Sequence, residues 1–194
     1  MTPGSPRGDI IISIHPQHVA NIVSRVKNHE FRSYLLPSTV KRLWIYETSP
    51  TSSIRFIATV SQGKRPGEIQ DPSGLKNDEF DLGELESRAQ FAYEIQKLEE
   101  LPTAYSLDDL KRRGWLNGAP QKYCFVKPAM DEALKTTPLK LVFDSAVAVA
   151  VAAPQRKDEG KGRVCPLSRS GLLSSAGVKK SRKPQGKAGR KRTS

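Results

Sequence analysis

The sequence predicts an α+β fold that is mainly β: a small mixed β-barrel with two or three short helices, followed by a disordered basic tail. Apolar segments with strand character recur between residues 10 and 127, and their irregular spacing does not match repeated strand–helix–strand units. Positive charge is concentrated at one end, because residues 155–194 hold 13 of the 32 lysines and arginines but 2 of the 20 acidic residues. A mixed barrel with packed helices fits this order of elements.

The first strand and the first helix are predicted close to the N-terminus. The segment IIISI at residues 10–14 is rich in β-branched residues and predicts a buried strand. Pro16 suits the first turn of a helix, where its missing N–H costs nothing, so a helix is expected over residues 16–25. The apolar face of this helix repeats at helical spacing and consists of Val19, Ile22, Val23 and Val26.

Four later segments are predicted to be strands, at residues 42–47, 53–61, 91–101 and 121–127. In the second of these, alternation places four apolar side chains on one face: Ile54, Phe56, Ala58 and Val60.

Helices and a loop separate these strands. Ser106 is a favourable N-cap and Gly114 a stop, so residues 106–113 are predicted to form a short helix, and residues 128–134 a final helical turn. Residues 62–85 are polar and rich in Gly, Pro and Asp, which predicts a long loop.

The chain is therefore divided into a flexible leader (1–8), a barrel domain (9–135), an Ala/Val-rich connector (136–154) and a disordered basic tail (155–194). The apolar run in the connector is too short and too interrupted by charges to span a membrane. The N-terminal residues do not have the pattern of a secretory signal.

Between the predicted helix and the next strand lies VKNHEFR, in which Lys27, Glu30 and Arg32 have the spacing K-x-x-E-x-R. This arrangement resembles the ASCH domain family, small β-barrels of the PUA-like superfamily that are related to EVE-like domains. The family motif begins with a glycine where this chain has Arg25, so the tight turn is expected to be made differently. The segments FAYEI and PQKYCFV add to the resemblance, which covers about residues 9–130.

The resemblance implies a cleft beside the motif that receives RNA, or a nucleotide or modified base. It also implies an alternative, because some bacterial members are amidohydrolases that remove an acetyl group from a cytidine. Those members have a threonine where this chain has Glu30, while the lysine is kept as Lys27. A third alternative is a protein-interaction or transcription coactivator module. The function predicted first is nucleic-acid binding, of RNA or of a modified nucleotide.

Residue chemistry supplies candidate roles for this cleft. If residues 28–34 are extended, Glu30 and Arg32 share one face, with Arg32 able to grip a phosphate and Glu30 able to accept from an exocyclic amine. The alternative is a plain surface ion pair. If the cleft is catalytic, Lys27 and Glu30 are the candidate residues, and they require a nearby hydroxyl. The predicted nucleic-acid-binding residues are Lys27, Glu30, Arg32, Trp44, Lys64, Arg65 and Tyr93.

No metal or other cofactor is predicted. The two cysteines, Cys124 and Cys165, do not form a metal-binding pattern and favour a reducing intracellular setting. His15 and His18 share a helical face, but no third ligand is close to them in sequence, so capping or surface roles are expected for them.

The tail is expected to remain disordered, because it has few apolar residues and two basic clusters. Such clusters bind nuclear import receptors or nucleic-acid phosphates without sequence preference, so a nuclear location is favoured over a cytoplasmic one. A monomer is expected, with no membrane partner. The residues assigned to nuclear targeting are Lys179, Lys180, Arg182, Lys183, Arg190, Lys191 and Arg192.

Overall fold

A computed structural model of the protein describes residues 8–146. The predictions for residues 1–7 and for the tail, and all but the first residue of the Ala/Val run at 146–154, lie outside the described residues. The described part has seven strands and four helices. The strands are β1 (Asp9–Ile14), β2 (His29–Arg32), β3 (Arg42–Glu47), β4 (Ser53–Val60), β5 (Phe91–Ser106), β6 (Tyr123–Phe125) and β7 (Lys140–Asp144). The helices are α1 (Pro16–Val23), α2 (Asn77–Asp81), α3 (Leu107–Arg112) and α4 (Pro128–Leu134).

All seven strands belong to one curled sheet with the order β2-β5-β4-β3-β1-β6, and β7 also pairs with β5. The β1–β3 pair is parallel, and the other strand pairs are antiparallel. The parallel pair needs a long crossover, which α1, β2 and the loop after β2 supply. The predicted α+β, mainly β fold of barrel type is confirmed.

Side-chain contacts bridge the gap between β2 with the residues that follow it, at one end of this order, and β1 with the β6 region, at the other end. Arg32 Nη2 donates to the carbonyl of Ser13 on β1 at 2.9 Å. Tyr34 Oη donates to the carbonyl of Lys122 at 3.1 Å, and the Tyr34 and Tyr123 ring centroids are 5.7 Å apart. Residues that follow or belong to β2 therefore replace the backbone ladder that a fully closed barrel would have.

Alternation along the central strands produces two cores on opposite faces of the sheet. On β1, Ile10 and Ile12 point into the first core and Ile11 into the second, and all three are fully buried. Helix α1 covers the first core, whereas α3 and α4 cover the second. Each fully buried isoleucine contributes about 1.5–3 kcal/mol to folding, so β1 stabilises both cores at once.

Two predicted features of the sheet need correction. Ile54 does not share a face with Phe56, because β4 has a register shift between these two residues, which places Ile54 in the second core and Phe56 in the first. A strand also lies inside the predicted connector, since β7 pairs with residues 97–100 of β5.

The helix ends follow local rules. His15 caps α1, because its ring nitrogen accepts from the backbone N–H of Gln17 at 3.4 Å. The helix ends at Val23 and not at residue 25, because Arg25 has a left-handed backbone with φ of 63°. Helix α3 has the predicted N-cap, with a reciprocal capping box between Ser106 and Asp109.

The predicted loop at 62–85 has more structure than expected. It contains α2, and Lys64 forms an isolated bridge with Ala92 of β5. Its apolar residues Ile69 and Phe80 join a third, small core with Ala89 and Ala92. The segment therefore packs beside β2 and β5 as a wall. In the part of the chain that the structure describes, no helix is long and apolar enough to cross a membrane.

Candidate functional site

The residues of the K-x-x-E-x-R motif form one connected ion cluster. Lys27 Nζ lies 2.8 Å from Glu30 Oε2, and Arg32 Nη2 lies 2.8 Å from Glu30 Oε1. The exposed fractions of the three side chains are only 7 %, 8 % and 18 %. The expected alternative of a plain surface ion pair does not describe this geometry, because the carboxylate and the ammonium are removed from water.

The surroundings of Glu30 keep its carboxyl ionised. Burial by itself would raise the pKa of this carboxyl, but the charges of Lys27 and Arg32, with the hydrogen bond from Lys27, lower it below its ordinary value. Oε2 accepts a hydrogen bond from Lys27, Oε1 is ion-paired with Arg32, and both oxygens have further lone-pair capacity. Glu30 is therefore a fixed, buried acceptor with capacity left for a ligand donor.

Local sequence explains how the cluster is assembled. After the left-handed Arg25, the backbone N–H of Lys27 donates back to the carbonyl of Asn21 at 2.9 Å, which turns the chain out of α1 and into β2. Pairing of β2 with β5, in which Glu30 lies opposite Tyr93, then fixes the strand face. The prediction that Glu30 and Arg32 share a face is confirmed by their contact.

The cluster lies at a cleft of about 240 Å³. Lys27, Glu30 and Phe31 form its inner end, and the Lys27 ammonium lies 4.7 Å from the centre of the Phe31 ring. Apolar side chains supply much of the remaining wall, and three residues that can carry positive charge are also part of it. Besides the inner residues, the lining consists of His18, Leu75, Lys76, Leu85, Arg88 and Ala89.

The rim of the cleft is basic. Arg88 is exposed and forms no ion pair with the described residues, whereas Lys76 is paired with Glu79 at 3.3 Å. His18 is neutral at physiological pH, because burial and the charge of Lys27 lower its pKa. An anionic group at the mouth of the cleft would therefore meet one unpaired guanidinium and one loosely held ammonium.

A polar network fastens the cleft wall to the start of β2. Asn28 Nδ2 donates to Asp71 Oδ2 at 2.8 Å, and Asn77 Nδ2 donates to Asn28 Oδ1 at 2.9 Å. Gly74 packs so closely that a Cβ there would lie 1.9 Å from Asn28 Oδ1. The backbone N–H of Leu75, a wall residue, donates to the carbonyl of Val26 at 2.8 Å. These contacts hold the 71–77 segment against the motif.

His29 belongs to the same network. Its Nδ1 lies 2.9 Å from Asn28 Oδ1, and its Nε2 is buried without a partner among the described residues. Burial first, and then the charge of Lys64, lower the pKa of His29 to about 4. The ring is therefore neutral at physiological pH, with the proton on Nδ1, because Asn28 Oδ1 can only accept.

Of the seven predicted binding residues, Lys27 and Glu30 line this cleft; Arg32 contacts Glu30 but is not part of the lining, and the other four do not line it either. Trp44 is buried in the second core, where its Nε1 donates to Asp9 Oδ2 at 2.9 Å. Tyr93 is buried in the first core, and its hydroxyl donates to the Tyr34 carbonyl. Lys64 pairs with Glu94 at 3.0 Å, and the Arg65 guanidinium lies 5.2 Å from the centre of the Phe91 ring. The rings of Trp44 and Tyr93 are both buried and have no exposed face on which a base could stack.

The wall residues Leu75, Lys76, Leu85 and Arg88 were missed by sequence reasoning, since they follow the motif by 40 or more positions. The one available signal was the length of the predicted loop, because long loops in compact domains carry function or disorder. Phe31 was assigned to the face opposite Glu30, yet the cleft includes both.

Within residues 8–146, no group of three or more His, Cys, Asp or Glu side chains is arranged to hold a metal ion. The His15 and His18 rings are 6.4 Å apart, edge to face. The side-chain bonds of Lys27 and Glu30 in the described part go to each other, to Arg32 and to the His29 carbonyl, and none involves a hydroxyl. The arrangement can bind a ligand by shape, by a buried carboxylate and by rim cations.

No family model matches the sequence. Among curated proteins, none matches it. In structure, the chain is similar to the ASCH protein of Zymomonas mobilis, with a TM-score of 0.53 and 20 % identity over 69 % of this chain and 98 % of that one. A serine-to-alanine mutant of that protein has a TM-score of 0.53 and 22 % identity, over 67 % of this chain and 96 % of that one. A tyrosine-to-phenylalanine mutant has a TM-score of 0.52 and 21 % identity, over 68 % of this chain and 100 % of that one. The fold of residues 8–146 is therefore that of an ASCH domain, as the motif predicted.

Proposed function

We propose that the protein binds RNA by taking one nucleotide, with an unmodified or a modified base, into the cleft beside Glu30. The observation that carries this proposal is the ionised carboxylate of Glu30, buried between two cations at the inner end of an apolar-walled cleft. A buried acceptor of this kind recognises a ligand donor, and exocyclic amines of bases are such donors.

The apolar walls of the cleft are suited to a planar ligand such as a base. Leu75, Leu85 and Ala89 provide apolar surface, and Phe31 provides an aromatic ring. A base that leaves its stack can be enclosed by such side chains while its edge reaches the carboxylate. At about 240 Å³ the cleft is below the about 300–1,000 Å³ of drug-sized ligand sites, which favours one nucleotide over a longer ligand inside it.

The basic rim of the cleft is suited to binding a phosphate. The Arg88 guanidinium is exposed and forms no ion pair with the described residues, and its planar fork of donors matches phosphate oxygens. Lys27 and Arg32 are occupied by Glu30, so in this proposal they fix the carboxylate, and the phosphate contact belongs to the exposed cation.

The test is calorimetric titration of the full chain with cytidine and uridine 5′-monophosphates at physiological salt. Cytidine monophosphate, which has an exocyclic amine, should bind more tightly than the uridine compound. Glu30→Gln should remove that preference and lower the affinity for cytidine monophosphate about tenfold or more. Arg88→Ala should weaken both nucleotides and leave the preference. Lys111→Ala, an exposed cation on α3, is the matched control.

Equal binding of the two nucleotides by the unmodified protein would contradict the role of Glu30. Tighter binding of deoxyribose oligomers than of ribose oligomers would contradict the choice of RNA. Because Arg88 is exposed, its substitution tests the site without disturbing the buried cluster.

The alternative is hydrolysis of an acetylated cytidine, and one observation favours it: Lys27 and Glu30, the two candidate catalytic residues, are both buried at the cleft and in contact with each other. Among the described residues, no hydroxyl is bonded to Lys27 or Glu30, although this mechanism was expected to need one. Incubation of the full chain with N4-acetylcytidine, with Lys27→Met as control, decides it: lysine-dependent release of acetate makes the cleft an enzyme site.

We further propose that the basic clusters at 179–192 direct the protein to the nucleus, with binding of nucleic-acid phosphates as their other role. A fluorescent fusion should lose nuclear enrichment when the seven clustered lysines and arginines are replaced by serine. Unchanged enrichment would reject the targeting role.

A further inference from the structure

The contacts of Tyr34, after β2, with Lys122 and Tyr123, at β6, form what we call the seam of the barrel. These aromatic and basic residues do not line the cleft. The ring of Tyr34 follows β2, and that of Tyr123 is on β6; both are half-buried. The Lys122 ammonium lies 4.3 Å from the centre of the Tyr34 ring and 5.8 Å from that of Tyr123. Lys122 is exposed and forms no ion pair with the described residues. An exposed cation beside half-buried rings is the combination by which single-stranded nucleic acid is held.

The seam and the cleft are connected through Arg32. Its guanidinium bonds to Glu30 in the cleft and to the Ser13 carbonyl at the seam. The charges of Arg32 and Glu30 both act on the phenol of Tyr34, although burial, which raises its pKa, is the larger influence. The Tyr34 ring is therefore a neighbour of the ion cluster and not part of a remote surface.

The Arg32 side chain lies between the two places. Glu30 is on β2 and Tyr34 is in the bend after that strand. The Arg32 guanidinium contacts both Glu30 and the Ser13 carbonyl. Stacked neighbouring bases are separated by only about 3.4 Å. A second base at the seam would thus be splayed away from the first, as RNA readers commonly arrange unpaired bases.

From these contacts we infer a second subsite, formed by Tyr34, Tyr123 and Lys122, which stacks the base that flanks the nucleotide in the cleft. This inference rests on the proposed function and makes the ligand a dinucleotide or longer single strand, not a free nucleotide. In the unliganded protein Lys122 covers the Tyr34 ring; on binding, the flexible lysine moves to the phosphate between the two nucleotides and the base takes its place.

The experiment compares cytidine 5′-monophosphate with the dinucleotide CpC, titrated into the full chain at physiological salt. The unmodified protein should bind the dinucleotide about tenfold or more tightly than the mononucleotide, because one stacked base is added. Tyr123→Leu should remove most of this gain and leave the mononucleotide affinity unchanged. Lys122→Ala should remove part of it and reduce the dependence on salt.

The matched control is Tyr105→Leu. Tyr105 is likewise half-buried next to a cation, since the Arg113 guanidinium lies 5.5 Å from its ring centre, but it packs against the second core, whereas Tyr34 and Tyr123 pack against the first. It should keep the full gain. Thermal unfolding of each variant confirms that it is folded at the titration temperature, and Lys122→Ala, at an exposed position, tests the subsite without loss of core packing.

The outcomes separate the two proposals. Mononucleotide binding with no dinucleotide gain, or a gain that survives both Tyr123→Leu and Lys122→Ala, overturns the second subsite and leaves the cleft. A dinucleotide that binds in a Tyr123-dependent way when the mononucleotide does not bind supports the seam and rejects the cleft. Absence of binding by both ligands overturns both.

Discussion

Two ion clusters in this protein have the same composition and opposite surroundings. In the cleft, Glu30 bonds to Lys27 and Arg32; on the open side of the sheet, Glu100 bonds to Lys140 and Arg55. The cations of the cleft cluster are 7 % and 18 % exposed, whereas Lys140 is 77 % and Arg55 53 % exposed. The two carboxylates are similarly shielded, at 8 % exposed for Glu30 and 14 % for Glu100, so it is the exposure of the cations that distinguishes the clusters.

The pKa of each carboxyl is lowered, but for different reasons. The pKa of Glu100 is lowered chiefly by hydrogen bonds from Arg55 and Lys140, two cations that remain exposed. For Glu30, burial acts most strongly and in the opposite direction, and the charges of Lys27 and Arg32 must outweigh it. A buried cluster costs desolvation that well-packed apolar side chains would avoid. In the proposed function this buried carboxylate serves ligand binding, whereas the Glu100 cluster, with its exposed cations, is an ordinary one.

The largest expected effect is the loss of Glu30. Glu30→Ala leaves two cations buried without a counter-charge and should lower the free energy of unfolding by about 3–5 kcal/mol. Glu100→Ala should have a much smaller effect, because water solvates its two partners. Urea unfolding of the full chain at pH 7 measures both changes. Equal losses would remove the distinction between the clusters.

Replacement of the whole cleft cluster is the control for this experiment. Lys27→Met, Glu30→Leu and Arg32→Met together should recover most of the stability that Glu30→Ala loses, because no buried charge remains. Nucleotide binding should stay absent. If binding persisted in this variant, the cluster would be a structural feature alone.

The second effect is a dependence of stability on pH, and it arises from His29. Its pKa falls from 6.5 to about 4 on folding, chiefly through burial and then through the charge of Lys64. The unfolded chain therefore binds a proton that the folded chain does not bind, so about 3 kcal/mol of stability is lost as the pH falls from 6.5 to about 4. The lowered pKa of Glu30 adds a further loss only at lower pH, below its unfolded value of 4.5.

Urea unfolding at several pH values between 7 and 4 measures this slope. His29→Gln should flatten it, and His18→Gln should remove a smaller part, since the pKa of His18 is also lowered but its ring is more exposed. A slope that His29→Gln does not change would mean that the ring is accessible to protons in the folded protein.

The third effect concerns the wall of the cleft. Gly74→Ala places a methyl group within 1.9 Å of Asn28 Oδ1 and 2.5 Å of Asn77 Nδ2, so their hydrogen bond cannot persist. We expect a loss of about 1–3 kcal/mol and faster amide hydrogen exchange over residues 65–85, with little change in β3 or β4. Gly118→Ala is the control, because a Cβ at that position meets no atom within 4 Å. Unchanged exchange in Gly74→Ala would show that the network does not hold the wall.

The parts of the fold that could be predicted from sequence are those decided by neighbouring residues. Strand β3 has the predicted bounds, 42–47, and α3 has the predicted cap, because alternation and capping act over a few positions. The face of Ile54 and the existence of β7 depend on a register shift and on pairing with a distant strand. No local pattern encodes either feature.

The site divides in the same way. The motif spacing placed Glu30 and Arg32 on one face of a strand, but the wall that makes the cleft comes from residues 75–89 and could be located only by tertiary packing. Trp44 and Tyr93 were chosen because aromatic rings stack on bases. Residue type alone does not show whether a ring is buried, and the structure places both rings in the cores.

The smallest expected effect lies at the turn into the motif, where Arg25 stands at the glycine position of the family motif. Arg25 adopts the left-handed backbone that favours glycine, with φ of 63°, and its guanidinium lies 5.1 Å from the centre of the Phe143 ring. Arg25→Ala keeps the strained backbone and loses this contact, whereas Arg25→Gly loses the contact and relieves the strain. We expect the glycine variant to be more stable than the alanine variant by about 1 kcal/mol. Thermal unfolding of the two variants measures the difference. If they unfold at the same temperature, the turn stores no strain, and the arginine is retained there at no cost to the geometry that sets Lys27 beside Glu30.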